Sequence, residues 1–225
     1  LALRTSNAAF GVVEGLSLLG TSGISQPLSA PGQLEEFRQE LRQKAEQSSS
    51  LVFCVGENGL DLAQRIGIPS NCLIKTANWL GPLLVEAGMQ QVKSLLLFGY
   101  HGKLIKLAGG IFHTHHHVAD GRMEILTAHA ANLGLPIDQV QQLFLKQMAE
   151  DGLMLLRELD TVQGTRWVEQ VYGSIAQAVD QRGQDYIYTH SEQVVTIGTV
   201  LFDRQRKIIV SSQNAATLLE QLLLG

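Results

Sequence analysis

The chain has 225 residues, a formal net charge of −4 and a hydrophobic fraction of 45%. This composition is sufficient for a sizeable core, and we expect one α/β domain over residues 1–225. Nucleic-acid-binding proteins are more often basic, so the charge argues against a nucleic-acid partner. No apolar run approaches the roughly 18 residues that a membrane span needs, which argues against a membrane partner.

The cysteine content and the start of the chain indicate the type of protein. Only Cys54 and Cys72 occur, too few for a disulfide scaffold or a thiolate zinc site. Cys54 lies in the apolar run "LVFCVG" and is expected to be a core thiol, which favours a reducing cytoplasm. No secretory signal is apparent, and the chain does not begin with Met. We therefore expect a fragment of a longer two-domain protein, and the oligomeric state stays open, with a homo-oligomer as one option.

The first half of the chain repeats a pattern of strand, glycine turn and helix. A strand near residues 10–13 and a glycine-rich loop precede the helical segment "PGQLEEFRQELRQKAEQ". Predicted strands follow at "LVFCVG", "NCLIKT" and "VKSLLLFGY", with helices through residues 63–67 and over "NWLGPLLVEAGMQ". This order predicts a three-layer, Rossmann-like fold, in which crossover helices cover a mostly parallel sheet.

The second half of the chain is mainly helical. We predict helices over "RMEILTAHAANLG", over the single long periodic stretch "PIDQVQQLFLKQMAEDGLMLLREL" and over "TRWVEQVYGSIAQAVDQRGQ". The segments "QVVTIGTVLFD" and "KIIVSS" predict a C-terminal strand pair. A last helix follows, with Asn214 as its expected N-cap.

The carboxyl ends of the predicted strands are the first candidate site, because open α/β sheets bind ligands there. These ends fall at residues 56–59, 75–78 and 99–103. Gly102 would permit a close backbone approach, and Lys103 and Lys106 would share one face of a helix. Lysines beside a helix N-terminus are suited to binding carboxylates or phosphates.

The cluster of histidines at 113, 115, 116 and 117 is the second candidate. On a strand, His113, His115 and His117 would share a face, whereas on a helix His113 would lie beside His116 and His117. The sequence leaves three interpretations open: a metal site, a polar loop that leads into a helix, and part of a cradle for an anion. No "HExxH" pattern is present, and Asp120 is the only carboxylate nearby.

The glycine-rich stretch "GLSLLGTSGIS" is the third candidate, with Gly20, Thr21 and Gly23 able to approach a cofactor through backbone N–H groups. It lacks the "GK[ST]" ending of a phosphate loop and does not match the GxGxxG fingerprint. No nucleophilic triad is evident around Ser22 or Cys54.

Four segments in order give the chain a family resemblance. The long stretch "GYHGKLIKLAGGIFHTHHHVADGRMEILTAHAANLG" resembles the signature of the CbiD family. The shorter pieces "GVVEGLSLLGTSGISQPLS", "VGENGLDLAQRIGI" and "TANWLG" resemble further elements of that family, and the match covers about residues 11–135. Members of the family also carry an N-terminal domain with a Thr-Gly-Cys-Ala-rich motif, which is not found here, so the chain resembles the C-terminal portion.

The resemblance implies an activity. The family methylates carbon 1 of cobalt-precorrin-5B to give cobalt-precorrin-6A, with S-adenosylmethionine as methyl donor, in anaerobic cobalamin biosynthesis. The implied partners are the corrinoid substrate and the missing N-terminal domain. Cobalt arrives within the substrate, so no protein-bound metal is expected. The alternatives are a non-catalytic tetrapyrrole-binding module and a histidine-metal hydrolase.

The resemblance also implies roles for individual residues. The expected catalytic residues are His101, His115 and Asp120. The substrate-binding residues are Gly102, Lys103, Lys106 and Thr114. The cofactor-binding residues are Gly20, Thr21, Gly23, Gly56, Gly59, Asn78 and Gly81. His113 and His116 depart from the family pattern and are expected to be local variation.

Overall fold

The computed structural model describes residues 31–224. The predicted strand at residues 10–13 and the glycine-rich loop with Gly20, Thr21 and Gly23 lie outside the described residues. A single domain over residues 1–225 stays a prediction. Among residues 31–224, no helix is both long and apolar enough to cross a membrane.

The fold is an α/β fold with one five-stranded, mostly parallel sheet in the order β2-β1-β3-β4-β5. The strands are β1 (Ser50–Val55), β2 (Leu73–Lys75), β3 (Ser94–Tyr100), β4 (Thr196–Phe202) and β5 (Ile208–Ser211). Strands β1 to β4 are parallel to their neighbours, and β5 is antiparallel to β4. The predicted fold class and the C-terminal strand pair are confirmed.

The described part of the chain contains nine α-helices. They are α1 (Pro31–Ala45), α2 (Glu57–Arg65), α3 (Leu80–Met89), α4 (His101–Ala108), α5 (Arg122–Asn132), α6 (Ile137–Phe144), α7 (Ala149–Gln163), α8 (Trp167–Ser191) and α9 (Gln213–Leu224). A single 3₁₀ turn, Ser70–Cys72, occupies the start of the predicted strand "NCLIKT" and leaves β2 only three residues long.

The sheet is covered on both faces, as the alternation of side chains along β4 shows. Gly183 of α8 packs against Ile197, and a Cβ atom at Gly183 would lie 2.6 Å from the Ile197 side chain. The next residue, Gly198, faces the other way, and its Cβ would lie 2.5 Å from the backbone of Ala215 in α9. Successive residues of a strand point to opposite faces, so α8 and α9 cover opposite faces of the sheet. This burial explains the near-continuous apolar runs of β1 and β3.

Strand order places a crevice at the carboxyl edge of the sheet. The chain leaves β1 towards β2 on one side and then crosses back to β3 on the other side. The neighbours β1 and β3 therefore form the topological switch point, where open α/β sheets bind ligands. Helices α2 and α4 begin directly after these two strands, at Glu57 and His101.

Three further details of the sequence-based assignment were wrong. The helix predicted through residues 63–67 is α2, which begins at Glu57 and ends at Arg65. The predicted single stretch from Pro136 is broken into α6 and α7, and Met148 between them has an extended backbone. Helix α7 packs closely on both α5 and α6, because a Cβ atom at Gly152 would lie 2.7 Å from Leu126 and 3.1 Å from Leu143. Asn214 lies inside α9, where its side chain donates to the Ile197 carbonyl, and the hydroxyl of Ser212 accepts the Ala215 N–H at the helix start.

Candidate functional site

Three helix N-termini lie at the carboxyl edge of the sheet. Helices α2 and α4 follow β1 and β3 directly, and α3 begins at Leu80, shortly after β2 ends at Lys75. The first turns of α3 and α4 contain no acidic residue. The Gly81 N–H of α3 already donates to the Phe112 carbonyl at 2.9 Å. The helix dipoles of α3 and α4 still favour an anion at this edge.

Asn78 joins three parts of this edge. Its side-chain oxygen accepts hydrogen bonds from Lys103 Nζ of α4, at 3.4 Å, and from the Thr114 hydroxyl, at 3.0 Å. Its backbone oxygen accepts the Thr114 N–H at 3.2 Å. The preceding Ala77 has a φ of 46°, a left-handed conformation that is unfavourable for alanine, and it directs the chain from β2 into this turn. We call Gly56, Asn78, Lys103 and Thr114 the Lys103 cluster.

Lys103 is a partly buried cation without an anionic partner among residues 31–224. Burial and the neighbouring Lys106 lower its pKa below the ordinary lysine value. By contrast, Lys75 is paired with Glu57 and Arg122 with Asp120. An unpaired ammonium in a crevice is costly for the fold, and an acidic ligand would relieve that cost.

Gly56 completes the cluster at the end of β1. Its φ of 85° is a conformation that glycine adopts freely. A Cβ atom there would meet only the Lys103 amine, at 3.9 Å. The Gly56 backbone therefore faces Lys103 without a side chain between them.

Lys106 has different surroundings from Lys103. Its side chain is buried, and its Nζ donates to the backbone oxygens of Thr114, at 3.2 Å, and Ala119, at 2.7 Å. Burial lowers the pKa of Lys106, while the charge of Asp120 acts in the opposite direction. Residues 114–119, which we call the histidine turn, are thus held at both ends by one ammonium group.

The histidine turn forms neither a strand nor a helix, the two conformations considered from the sequence. The His115 carbonyl accepts the Val118 N–H at 3.1 Å, and His115 Nδ1 accepts the His117 N–H at 3.2 Å. The rings of His115 and His116 stack with centroids 4.8 Å apart, and the rings of His116 and His117 lie 4.0 Å apart. Burial and the neighbouring histidines lower the pKa of His115 and of His116. The lowered pKa favours the neutral form of both imidazoles.

The remaining histidine of the cluster is separate from the turn. His113 packs edge-on against the Trp79 ring, with centroids 4.9 Å apart. In residues 31–224, no group of three or more His, Cys, Asp or Glu side chains has an arrangement that could hold a metal ion. The histidine-metal interpretation therefore has no ligand set in the part of the chain that the structure describes.

His101, a predicted catalytic residue, lies in a buried network. Its ring is inaccessible to solvent, with Nδ1 2.9 Å from the Tyr172 hydroxyl and Nε2 3.0 Å from Glu150 Oε2. Burial lowers the pKa of His101, and burial raises the pKa of Tyr172 well above its usual range. The arrangement fits a neutral ring that accepts from Tyr172 and donates to Glu150. The catalytic role of His101 stays a prediction, and both of its ring nitrogens already have partners.

Asp120, also predicted to be catalytic, lies at the start of α5. Its carboxylate accepts two hydrogen bonds from the Arg122 guanidinium, at 2.7 and 2.6 Å, and the backbone N–H groups of Gly121 and Arg122. Burial alone would raise the pKa of Asp120, but its contacts with Arg122 lower it below the usual value. These contacts fix the start of a helix, and the catalytic role also stays a prediction.

Three glycines of the predicted site make close packing contacts. A Cβ atom at Gly59 would lie 2.8 Å from the Phe98 backbone oxygen, and one at Gly81 would lie 3.0 Å from Phe112. One at Gly102 would lie 2.6 Å from the Tyr100 ring. Gly102 therefore accommodates Tyr100, a contact that the sequence analysis had not predicted.

The sequence analysis missed the partners of His101. Tyr172 and Glu150 are 71 and 49 residues away along the chain, and no local pattern connects them with His101. The Glu150 carboxylate also accepts the Tyr100 hydroxyl at 3.4 Å and the Arg204 N–H at 3.3 Å. Only the packing of α7 and α8 against α4 brings these groups together.

The comparisons with known proteins agree with the resemblance. Residues 113–213 match the family model described as CbiD, C-terminal domain. No solved structure matches the chain.

Curated relatives match nearly all of the chain at high identity. A cobalt-precorrin-5B C(1)-methyltransferase from Cyanothece sp. is 61% identical over 225 residues, which are 100% of this chain and 59% of the relative. The protein of that name from Nostoc sp. is 60% identical over 99% of this chain and 61% of its own length. The one from Synechocystis sp. is 58% identical over 96% and 57%, respectively. The chain thus spans about three fifths of the length of the curated relatives it matches, and its residues 113–213 are similar to the C-terminal domain of the CbiD family.

Proposed function

We propose that the chain is the corrinoid-binding part of a methyltransferase that transfers a methyl group from S-adenosylmethionine to carbon 1 of cobalt-precorrin-5B, giving cobalt-precorrin-6A. The observation that carries this proposal is the Lys103 cluster, in which a partly buried ammonium faces the crevice without an anionic partner in the described residues. The names of the relatives supply the reaction. A cytoplasmic location is part of the same proposal.

The polarity of the cluster supports an acidic ligand. Its acceptors are used internally: the Asn78 side-chain oxygen binds Lys103 and Thr114, and the backbone oxygens of Thr114 and Ala119 bind Lys106. The groups left for a ligand are the remaining N–H donors of Lys103 and the N-terminus of α4, whose first turn contains no acidic residue. A site that offers donors suits a carboxylate, and the proposed macrocycle carries acetate and propionate groups.

Methyl transfer requires positioning more than acid–base chemistry. In the proposed reaction carbon 1 would supply the electron pair of the new bond to the methyl group. The pair of the breaking sulfur–methyl bond would stay on sulfur, and S-adenosylhomocysteine would leave. Holding the two reactants in line supplies much of the rate, so no protein nucleophile is needed. In this proposal Lys103 orients the macrocycle through a carboxylate.

The residues around Gly56 fit a methyl donor better than the other predicted glycines do. Gly56 presents bare backbone to the crevice, and the side chain of Asn78 lies beside Lys103. Gly59 and Gly81 are engaged in packing. We propose that Gly56 and Asn78 contribute to holding S-adenosylmethionine, which supplies the methyl group when bound.

Cobyrinic acid and its heptamethyl ester are suitable probes of the macrocycle site, because they share a corrin ring and differ in charge. We expect the chain to bind the acid more tightly than the ester. Lys103→Met should lower the affinity for the acid roughly 10- to 100-fold, equivalent to one charge-assisted hydrogen bond of about 1.5–3 kcal/mol. Its affinity for the ester should not change.

Lys93→Met is the matched control, because Lys93 is exposed and immediately precedes β3, at the opposite end of the strand from Lys103. Equal affinities of the wild-type chain and Lys103→Met for cobyrinic acid would contradict the proposed cluster. Calorimetric titration with S-adenosylmethionine tests the donor site. Release of binding heat supports it, and its absence would favour the non-catalytic tetrapyrrole-binding module for this chain.

A further inference from the structure

The two lysines of α4 lie three residues apart, yet their contacts differ. Within residues 31–224, the hydrogen bond of the Lys103 ammonium is to the side-chain oxygen of Asn78, at 3.4 Å. Lys106 is 2% exposed and donates to two backbone carbonyls, those of Thr114 and Ala119. Backbone carbonyls carry no net charge, so they do not neutralise the Lys106 ammonium. Its two hydrogen bonds instead fix the geometry of the segment that contains Thr114 and Ala119.

That segment is the histidine turn, and its geometry determines the protonation of one histidine. The His117 N–H donates to His115 Nδ1 at 3.2 Å. A nitrogen that accepts a hydrogen bond carries no proton, so neutral His115 bears its proton on Nε2. His115 is then a hydrogen-bond donor through Nε2, and Nδ1 is unavailable as a base or metal ligand.

Lys106 also acts electrostatically on both neighbours. Its charge lowers the pKa of Lys103, after the larger effect of burial. It contributes likewise, after burial and the adjacent histidines, to the lowered pKa of His115. The same ammonium therefore holds the turn in place and favours the neutral form of His115.

We infer that Lys106 is a positioning residue, which holds the histidine turn so that His115, next in sequence to Thr114 of the Lys103 cluster, is a neutral Nε2–H donor. The inference rests on the proposed function, because it assigns a task within the same acidic-ligand site. It replaces the expectation that Lys106 and Lys103 bind substrate in the same way.

Nitrogen-15 NMR tests this inference without any ligand. In the wild-type chain, the His115 spectrum should report the Nε2–H tautomer, and the Lys106 ammonium should show hydrogen-bond couplings to the carbonyl carbons of Thr114 and Ala119. Lys106→Met should give a mixture of His115 tautomers and a raised Lys103 pKa. Lys106→Arg, which retains donors, should restore the His115 tautomer at least in part.

The affinity for cobyrinic acid provides a second test of the role of Lys106. Lys106→Met should bind cobyrinic acid about 5- to 10-fold more weakly, close to 1 kcal/mol. In the wild-type chain this binding should decline as the pH rises through the lowered pKa of Lys103, and in Lys106→Met the decline should move to higher pH. Lys103→Met is the matched comparison, because it should lose affinity while the His115 tautomer stays unchanged.

The outcomes separate this inference from the proposed function. An unchanged His115 tautomer together with an unchanged Lys103 pKa in Lys106→Met would overturn the positioning role. If Lys106→Met does not fold, the absence of the two couplings in the wild-type chain would overturn it equally. If the wild-type chain does not bind cobyrinic acid, the proposed function fails, while the spectra still decide the role of Lys106.

Discussion

The polar side chains on the two sides of helix α4 differ in how completely their hydrogen bonds and charges are satisfied within the described residues. On one side, His101 has a partner for each ring nitrogen, Tyr172 and Glu150. On the other side, Lys103 has a single long contact with a neutral amide. Residues two apart on a helix point in different directions, so a single turn of α4 presents His101 to one side and Lys103 to the other.

This difference separates structural from functional polar residues. A buried group whose hydrogen bonds are all made within the protein stabilises the fold and has little to offer a ligand. A partly buried cation without an anion destabilises the fold and gains from a ligand. His101, a predicted catalytic residue, belongs to the first kind, and Lys103 belongs to the second.

The largest expected effect is on the side of His101. Glu150→Ala removes the acceptor for His101, the Tyr100 hydroxyl and the Arg204 N–H. We expect the free energy of unfolding at pH 7.5 to fall by about 3 kcal/mol, because buried donors lose their partner. Urea denaturation measures this change. Glu158→Ala, an exposed change on the same helix α7, is the control, and a loss as small as that of the control would remove the distinction between the two sides.

Asp180 of α8 tests whether a buried polar group with an unmade hydrogen bond necessarily marks a ligand-binding site. Asp180 is buried, and its Oδ1 has no hydrogen-bond partner in the part of the chain that the structure describes. Burial raises its pKa to about 6, against the effect of the Ser212 and Thr199 hydroxyls. The folded state therefore binds this proton more tightly than the unfolded chain. The resulting stabilisation is complete below about pH 4 and is lost as the pH rises through about 6.

Asp180→Asn removes the buried charge. We expect the free energy of unfolding to rise by roughly 2 kcal/mol at pH 8 and to change little at pH 4. Thermal unfolding across this pH range measures the difference, with the exposed Asp185→Asn of the same helix as control. A gain that is equal at both pH values would show that the charge of Asp180 is not its cause.

Lys103 itself should give a smaller effect on stability, opposite in sign to that of Glu150. Lys103→Met keeps the aliphatic part of the side chain and removes an ammonium without an anionic partner in the described residues. We expect the free energy of unfolding to rise by about 1 kcal/mol at pH 7.5 while binding of cobyrinic acid falls. A clear loss of stability would mean that Lys103 is a structural residue, as His101 is.

The smallest effect is expected at His116. Its ring is exposed and makes only ring contacts with His115 and His117 in the described part of the chain. His116→Ala should change the free energy of unfolding by less than about 0.5 kcal/mol and leave the affinity for cobyrinic acid unchanged. A marked loss of affinity would show that the histidine turn contacts the ligand through more than His115.

Much of the fold followed from local patterns. The apolar runs of β1 and β3 and the alternating helices predicted a parallel sheet, since such runs fit strands covered on both faces. The break between α6 and α7 was not predicted, because apolar periodicity continues through it, whereas in the fold Gly152 of α7 packs against side chains of both α5 and α6. The cap of α9 was misassigned because Ser212 and Asn214 are both suitable residue types and only the packing of β4 on α9 distinguishes them.

The sequence by itself determined the α/β class, the resemblance to the CbiD family and the segment proposed to contain the site, because strand periodicity, glycine turns and motif order are local properties. The tertiary structure decided which residues of that segment are available to a ligand. Lys103 and Lys106 are equivalent lysines in the sequence, and their difference arises from Asn78 on one side and from the folded histidine turn on the other. Hydrogen bonds and burial depend on groups that are distant along the chain, so only folding separates the unpaired cation from the satisfied one.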